Sequence, residues 1–401
     1  MKYLFALAPG IAIATPAMAQ EITFKPLAEA RLRYENVDQA GIAARADAVT
    51  VRVRGGIEAS SGPWTATVEA QGNLAIVGDY YDGVNGAATR PLVSDPQNIA
   101  LYLGQLKYKT KAIALTAGRQ RIALDDERFV GASPFRQNGQ TFDAVRVEWT
   151  GVPKLKVDLT YAWKVRTIWG IDGNGGRPQL IGGDNVFANV GYTTPIGTLS
   201  GFGYLIDQNA AAVQGFRLSS QTYGARLAGS RPLSAGAKLS WQLSYATQSD
   251  YHRNPNAYRA NYYLVDAALD VRASRIGGGY EVLGADHGVA LTSFQTPIGT
   301  GFRFEGWDSK FLTTPPDGVR DLYGSLAFGW KVAGPFKALT LQGVYHRFSS
   351  DRLVRLYGDE FDLLASARLR KTTVALRYAR YHASSFATDT SKFWLQMDWT
   401  L

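Results

Sequence analysis

Arginine and lysine recur on the polar side of segments in which apolar and polar residues alternate. Arg52 and Arg54, for example, alternate with Val51 and Val53, so both cations point to one face of an extended chain. Guanidinium binds a carboxylate through two parallel hydrogen bonds, and rows of such cations along a pore attract and steer anions. This chemistry predicts an anion-binding lining formed by Arg31, Arg33, Arg52, Arg54, Arg146, Arg368, Arg370 and Arg377.

Each of these cations could instead pair with a carboxylate on the same face and brace the wall. The chain has 43 Lys and Arg against 34 Asp and Glu, a formal net charge of +9, so complete pairing is not expected. The closely spaced pairs, Arg52 with Arg54 and Arg368 with Arg370, are therefore the stronger candidates. They lie near opposite ends of the chain, and closure of a sheet would bring them within a few strands of each other.

The elements that must position these residues are extended segments with a period of two. Between positions 154 and 166, Leu155, Val157 and Leu159 alternate with charged or polar residues, which is the pattern of a strand with one apolar face. Such segments run for about 9 to 13 residues, enough to cross a bilayer at a tilt of about 45°. Trp and Tyr gather at their ends, where membrane barrels carry aromatic girdles.

The number of segments indicates a closed barrel. At about 21 residues per strand and connector, the mature chain would form about 18 strands. The expected fold is all-β, a transmembrane antiparallel up-and-down β-barrel with an aqueous lumen. The last segment, 393–401, alternates to its final residue, as a strand that closes onto the first should do. A soluble β-sandwich is the alternative, and it would need a buried partner for every apolar stripe.

The amino terminus has the order of a secretory signal. Lys2 precedes an apolar run, and Ala17, Met18 and Ala19 follow it, which is the basic, apolar and small-residue sequence of a cleaved leader. We expect a signal peptide at 1–19 and a single barrel at 20–401, located in the outer membrane of a Gram-negative bacterium. A retained apolar anchor is the alternative. The absence of Cys excludes thiol catalysis and cysteine metal sites.

Three connectors are long and rich in Gly, Pro, Asn or Asp. They cover 78–98, 166–184 and 296–321, and we expect them to form extracellular loops or constrictions folded into the lumen. Short connectors such as 195–197 should lie on the periplasmic side, where turns of such barrels are brief.

Signals for catalysis are weak. The four His residues have no zinc-ligand spacing, and no G-x-S-x-G motif occurs. His346 falls on a polar face and could have an acidic partner, but a lone histidine there is more often a wall residue. Asp125 and Asp126 could perform glycosidic chemistry, although adjacent carboxylates on a loop are more often solvated. We therefore expect no enzymatic activity, no cofactor, no metal and no nucleic-acid partner.

Several runs resemble the alginate export family of outer-membrane β-barrel porins. They are GRQRI at 118–122, DDERF at 125–129 with Gly131, YHRNPN at 251–256, and FEGWDSKFLTTPPDGVRDLY at 304–323. Together they are spread over most of the mature chain.

The resemblance implies an 18-stranded monomeric pore with an arginine-rich constriction, in which a few interior acids form a gate. Such a pore would pass an acidic polysaccharide outward without ATP, surrounded by outer-membrane lipid, with periplasmic export proteins as candidate partners. The resemblance places two further residues, Arg119 and Arg128, in the candidate lining. It also matches Arg368 and Arg370 to a cationic pair and suggests Asp398 as a gate residue.

The orientation of Arg119 conflicts with this assignment. Alternation from Ile113 and Leu115 would turn Arg119 towards lipid, which is costly for a charge. A bulge at Gly118 would re-aim the side chain into the lumen.

The function that these features favour is passive export of an anionic polysaccharide, an alginate-like polyuronate, through an arginine-lined lumen. The nearest alternative is a general anion-selective porin for uptake of small organic acids or oligouronates. A glycan-modifying enzyme and a purely structural adhesin are further alternatives from other functional classes.

Overall fold

The structure is a computed structural model that describes residues 21–331 and 336–401, so the predicted signal peptide lies outside the described residues. Its main elements are 18 strands in the described part of the chain. In chain order they are β1 Thr23–Gln39, β2 Ala46–Ser61, β3 Trp64–Asp79, β4 Asn98–Lys109, β5 Ile113–Gln120, β6 Thr141–Trp149, β7 Leu155–Arg166, β8 Leu180–Thr194, β9 Gly197–Ile206, β10 Ser220–Ser234, β11 Ala237–Asp250, β12 Arg259–Val271, β13 Ser274–Leu283, β14 Val319–Trp330, β15 Phe336–Ser349, β16 Leu356–Leu369, β17 Thr372–Ala383 and β18 Thr390–Thr400.

Every strand pairs antiparallel with its neighbours in the chain, and β1 also pairs with β18. Leu32 faces Met397 on one side and Val51 on the other, so the first strand joins the last and the sheet closes. Closure leaves the described strands without an unpaired edge, which a bilayer does not tolerate. The predicted fold class is confirmed: the chain is an 18-stranded antiparallel β-barrel.

Alternation separates an apolar outer face from a polar inner face. On β7, Leu159 is 49% exposed whereas the next residue, Thr160, is 1% exposed. The exposed apolar side chains are those that lipid would cover, and the buried polar ones point into the barrel. Among the described residues, no helix is long and apolar enough to cross a bilayer.

The two ends of the barrel differ in connector length. Connectors of two to five residues join β2 to β3, β4 to β5, β6 to β7 and the later pairs of that end, and Trp64, Trp149 and Trp399 lie beside them. The other end carries the long connectors, including 80–97, 167–179 and 207–219, the last with short 3-10 helices at Ala211–Val213 and Gly215–Leu218. Short turns are typical of the periplasmic side and long loops of the extracellular side.

The apolar core lies inside the barrel, where two long connectors fold inward. These connectors, called here segment A (121–140) and segment B (284–318), pair with each other, since Gly131 N donates to Ile298 O at 3.0 Å. Segment B begins 12 residues before the expected connector at 296–321. The buried cluster combines Ile122, Leu124 and Val130 of segment A with Phe294, Ile298 and Phe311 of segment B. It also includes wall residues from strands between β6 and β17.

Candidate functional site

Closure brings arginines from both ends of the chain to one side of the lumen. Arg31 on β1 lies opposite Arg52 on β2 and opposite Asp398 on β18. The Nε of Arg31 donates to Asp398 at 2.6 Å. Because all these positions face inward, we call this side, formed by β1, β2, β17 and β18, the arginine wall.

The arginine wall holds the backbone of segment A. Arg31 donates from one terminal nitrogen to the carbonyl oxygens of Pro134 at 3.1 Å and Phe135 at 2.9 Å. Arg33 donates to the same Phe135 oxygen, and Arg52 donates to the Arg136 oxygen at 3.4 Å. Three guanidiniums therefore fix three consecutive carbonyls in the lumen.

Arg33 is fully enclosed by this arrangement. It forms a 2.8 Å ion pair with Asp95, itself buried, and donates to Gln396. Asp95 also accepts a hydrogen bond from the backbone N–H of Gln137 at 2.7 Å. Arg33 thus ties connector 80–97, segment A and β18 together and has little surface left for a solute.

Arg52 and Arg54 share one carboxylate. Both donate to Oε1 of Glu29, at 2.8 and 2.7 Å. Arg54 also donates to Gln71 at 2.6 Å and lies 3.6 Å from the centre of the Tyr102 ring. This pair was predicted as a free cationic cluster, but the structure shows both guanidiniums buried against wall and loop residues.

Arg128 lies in segment A and does not line open space, contrary to the prediction. Its guanidinium is buried between Glu281 of β13 at 2.7 Å and Glu305 of segment B at 3.0 Å. Glu281 accepts the hydrogen bond from its Nε, and Glu305 lies beside a terminal nitrogen of the guanidinium. Burial raises the pKa of Glu305 to about 8, against the opposing effect of Arg128.

Arg119 is largely enclosed near the long-loop end of β5, beside a small cleft that is also lined by Gln71, Tyr102 and Asn138. Gly118 has a φ of 110°, yet the pairing of β5 with β4 and with β6 runs through it without a register shift. Arg119 stays opposite Asp143 and forms a 2.7 Å ion pair with it. The charge is tolerated there because a carboxylate neutralises it near the long-loop end.

The other predicted arginines are spread around the barrel. Arg146 faces inward on β6 and is paired with Asp158 of β7, with Nε at 2.9 Å from the carboxylate. Arg377 faces inward on β17, 5.5 Å from the Phe135 ring.

Arg368 faces the lumen at the short-turn end of β16, opposite Thr373. Arg370 lies outside the strands in the turn to β17, with a φ of 50°, and is therefore not part of the inner lining.

The neighbouring sector of the lumen wall is acidic, and the sequence predicted little of it. We call it the carboxylate wall: Glu281, Asp321, Glu360 and Asp362 on β13, β14 and β16. His346 of β15 is bonded to Asp321 at 2.9 Å, so it has an acidic partner. The signal was present, because Glu281, Asp321 and Glu360 alternate with the exposed Tyr280, Leu322 and Phe361.

The carboxylate wall holds the backbone of segment B. The backbone N–H of Asp308 donates to Glu360 at 2.7 Å, and that of Trp307 donates to Asp362 at 3.2 Å. Gly306, with a φ of 80°, lies so close that a Cβ there would come within 2.4 Å of the Glu360 carboxyl group. Lys392 of β18 completes the attachment by donating to the Asp308 carbonyl at 2.9 Å.

Clefts lie beside the inward segments in the described part of the chain. One, of about 460 Å³, lies near the short-turn end and is lined by Arg146, Lys154, Lys156 and Asn189 among others. The second, of about 240 Å³, is lined by Arg303, Glu281 and Tyr323 among others. The larger cleft is within the size range of small-molecule sites.

Comparison with known proteins agrees with this architecture. The alginate export family model matches residues 18–166, which confirms the resemblance over that part of the chain. No curated protein sequence matches the chain.

Solved porin structures share the whole fold at low identity. OpdL of Pseudomonas aeruginosa is 15% identical with a TM-score of 0.67, covering 94% of this chain and 98% of that one. OccAB4 of Acinetobacter baumannii is 12% identical with a TM-score of 0.69, covering 96% and 100%. OpdK of Pseudomonas aeruginosa, solved with vanillate, is 12% identical with a TM-score of 0.69, covering 94% and 98%. The chain is therefore an outer-membrane β-barrel with the fold of a porin, and its amino-terminal part matches the alginate export family.

Proposed function

We propose that the barrel is a passive pore for small carboxylate-bearing solutes, namely organic acids and short oligouronates, which cross it by diffusion. The observation that carries the proposal is the attachment of segments A and B to the inner wall, beside which clefts of about 460 and 240 Å³ remain. A solute that fits these clefts would not have to displace either segment. The solved structure of OpdK with vanillate, a small aromatic carboxylate, supports the same size class.

Cations that the inward segments leave accessible would attract the solute. Arg121 and Arg303 are exposed, and Arg303 contacts only the Asp126 carbonyl, at 3.5 Å, within the described hydrogen bonds. Arg31, Arg33, Arg52 and Arg54 would act mainly by fixing the constriction. A solute carboxylate would thus meet a few free guanidiniums next to carboxylates, which gives weak binding and rapid passage.

Export of an intact polyuronate is the second candidate, and the family match over residues 18–166 favours it. It requires segment A to move, because carbonyls 134–136 occupy the donors of the arginine wall. A polymer would have to replace these carbonyls with its own carboxylates.

The proposed role involves no catalytic step. Asp125 and Asp126, the candidate acids, serve as anchors of segment A: Asp125 accepts from Asn189 at 2.7 Å and Asp126 accepts from Gln242 at 2.5 Å. Both also lie 3.6 Å from Arg226.

Reconstitution of the full chain in liposomes and planar bilayers tests the proposal. We expect liposomes to swell in monouronate and diuronate, and a long polyuronate to block the current without crossing. Passage of the long polymer into polymer-free vesicles would favour the second candidate instead. A pore that admits neutral sugars and cations as readily as monouronate would overturn the proposed preference for carboxylates.

A further inference from the structure

An apolar groove runs along the outer wall across β14 to β18. Its floor consists of the small residues Gly324, Gly343 and Ala365, which the strand pairing places on the outward face. It encloses about 700 Å³ and continues towards Trp330 through a further 250 Å³. Its sides are formed by large exposed side chains: Leu326, Leu341, Tyr345, Phe361, Leu363 and Leu376.

The backbone does not require glycine in the floor. Neither Gly324 nor Gly343 has a positive φ; a Cβ on Gly324 would meet nothing within 4 Å, and one on Gly343 would lie an ordinary 3.5 Å from Leu363. The missing side chains therefore leave a channel that is open to the bilayer. A flexible hydrocarbon chain can fill such a channel and gain packing contacts that a flat wall would not offer.

Two cations flank the extracellular end of this groove. Arg347 on β15 is 56% exposed and only 3.9 Å from its nearest carboxylate, Asp359. Arg380 on β17, opposite Phe361, is exposed and makes no hydrogen bond or ion pair with the residues that the structure describes. The Tyr345 hydroxyl donates to Asp359 at 2.7 Å. This end of the groove therefore has two cations, Arg347 and Arg380, and one carboxylate, Asp359.

This position suits a phosphate. A cation on the lipid side is destabilising at the bilayer centre but tolerated near the interfaces, and these residues lie near the long-loop ends of their strands. The planar fork of guanidinium matches phosphate oxygens. Net positive charge at the head of an apolar channel is the complement of an anionic head group attached to an acyl chain.

We propose that this groove binds an acylated, phosphate-bearing glycolipid of the outer leaflet, with an acyl chain over Gly324 and Gly343 and a phosphate between Arg347 and Arg380. Binding of this lipid is independent of the proposed transport function, since every residue involved faces outward. The groove accounts for binding of the acyl chain, and Arg347 and Arg380 account for binding of the phosphate.

Native mass spectrometry of the full barrel in detergent, titrated with bisphosphorylated lipid A, tests the inference. We expect one lipid to be retained, and retention to weaken on the order of tenfold when Arg347→Gln and Arg380→Gln are combined. Gly324→Leu should weaken it comparably by filling the groove, and Ala365→Leu provides a second filling variant. Dephosphorylated lipid A should bind like the double arginine variant and should lose nothing further on that variant.

Matched controls use outward residues elsewhere on the barrel. Arg259→Gln removes an exposed arginine at the same end of β12, and Gly201→Leu fills an outward glycine of β9 whose Cβ would meet nothing within 4 Å. Both should retain the lipid unchanged, and the gel mobility of the heated and unheated barrel reports folding of every variant. Equal loss in the controls, or equal retention of dephosphorylated lipid, would overturn the proposal in favour of an unselective lipid layer.

Discussion

The arginine wall and the carboxylate wall hold the two inward segments by opposite means. On the arginine wall, guanidiniums donate to backbone carbonyls at 134–136 of segment A. On the carboxylate wall, Glu360 and Asp362 accept from backbone N–H groups at 307 and 308 of segment B. Charged groups of both walls are thus bonded to peptide groups of the inward segments, and Lys392 of the arginine-wall strand β18 contributes to holding segment B. The number of charges on a wall is therefore a poor measure of the charge that a solute meets.

The substitution Arg33→Met in the arginine wall should have the largest effect on the stability of the barrel. The substitution removes the ion-pair partner of the buried Asp95 carboxylate and one of the two guanidinium donors to the Phe135 carbonyl. Removing one partner of a buried ion pair costs about 3–5 kcal/mol. We expect a lower urea midpoint for barrel unfolding and a noisier, larger single-channel current as segment A loosens. Adding Asp95→Asn should recover part of the stability. Unchanged stability in Arg33→Met would show that the wall does not hold segment A.

The matching test of the carboxylate wall is Gly306→Ala. A left-handed conformation costs an L-residue about 1–2 kcal/mol, and here the added Cβ would also come within 2.4 Å of the Glu360 carboxyl group. We expect segment B to leave Glu360 and to become sensitive to protease added from the extracellular side. Gly176→Ala is the control, since that glycine has no positive φ and its Cβ would meet nothing within 4 Å. Equal protease resistance in both variants would contradict this role of Gly306.

A smaller effect should follow from pH, because Glu305 joins segment B to Arg128. Its pKa is raised by burial from an ordinary value of 4.5 to about 8. The protonated form is thus favoured in the folded protein, and the stability it contributes is present below pH 4.5 and is lost as the pH rises through about 8. We expect protease sensitivity of segment B to increase between pH 5 and pH 9.

Glu305→Gln is the control for this pH dependence. The amide oxygen can still accept a hydrogen bond from Arg128, and the group no longer titrates. The variant should therefore show the same sensitivity at both pH values, and a pH dependence equal to that of the unaltered chain would assign the effect to another group.

The sequence predicted the strands and the face on which each residue lies, because both depend on the side-chain period of two. It did not predict the partners that side chains find across the lumen. Alternation in segments such as 154–166 was sufficient for the strands, and about 21 residues per repeat was sufficient for their number. It also placed Arg31, Arg52 and Asp398 on one face, where closure makes them neighbours. Period two fixes the face of a residue but not what lies opposite it.

Arg128 and Arg119 show where that limit lies. Arg128 is buried by Glu281, 153 positions away in the chain, and no local pattern reports such a pairing. For Arg119 the sequence suggested a bulge that turns the side chain inward, but it did not predict the ion pair with Asp143 on the adjacent strand. The path of segment A depends in the same way on donors from β1 and β2 that only the closed barrel brings near.

The smallest expected effect distinguishes Arg368 from Arg370, the predicted cationic pair. Arg368 faces the lumen at the short-turn mouth, whereas Arg370 lies in the turn beyond it, and both are exposed. Because exposed charges are screened over about 10 Å at 0.1 M salt, Arg368→Gln should reduce anion selectivity slightly at low salt and not at 1 M. Arg370→Gln should leave the reversal potential unchanged at either concentration. If both variants shift the reversal potential equally, selectivity at the pore mouth depends on the net charge of the turn and not on the face on which a cation lies. Side-chain direction, which distinguishes residues within the two walls, would then not determine the effect of a charge at the pore entrance.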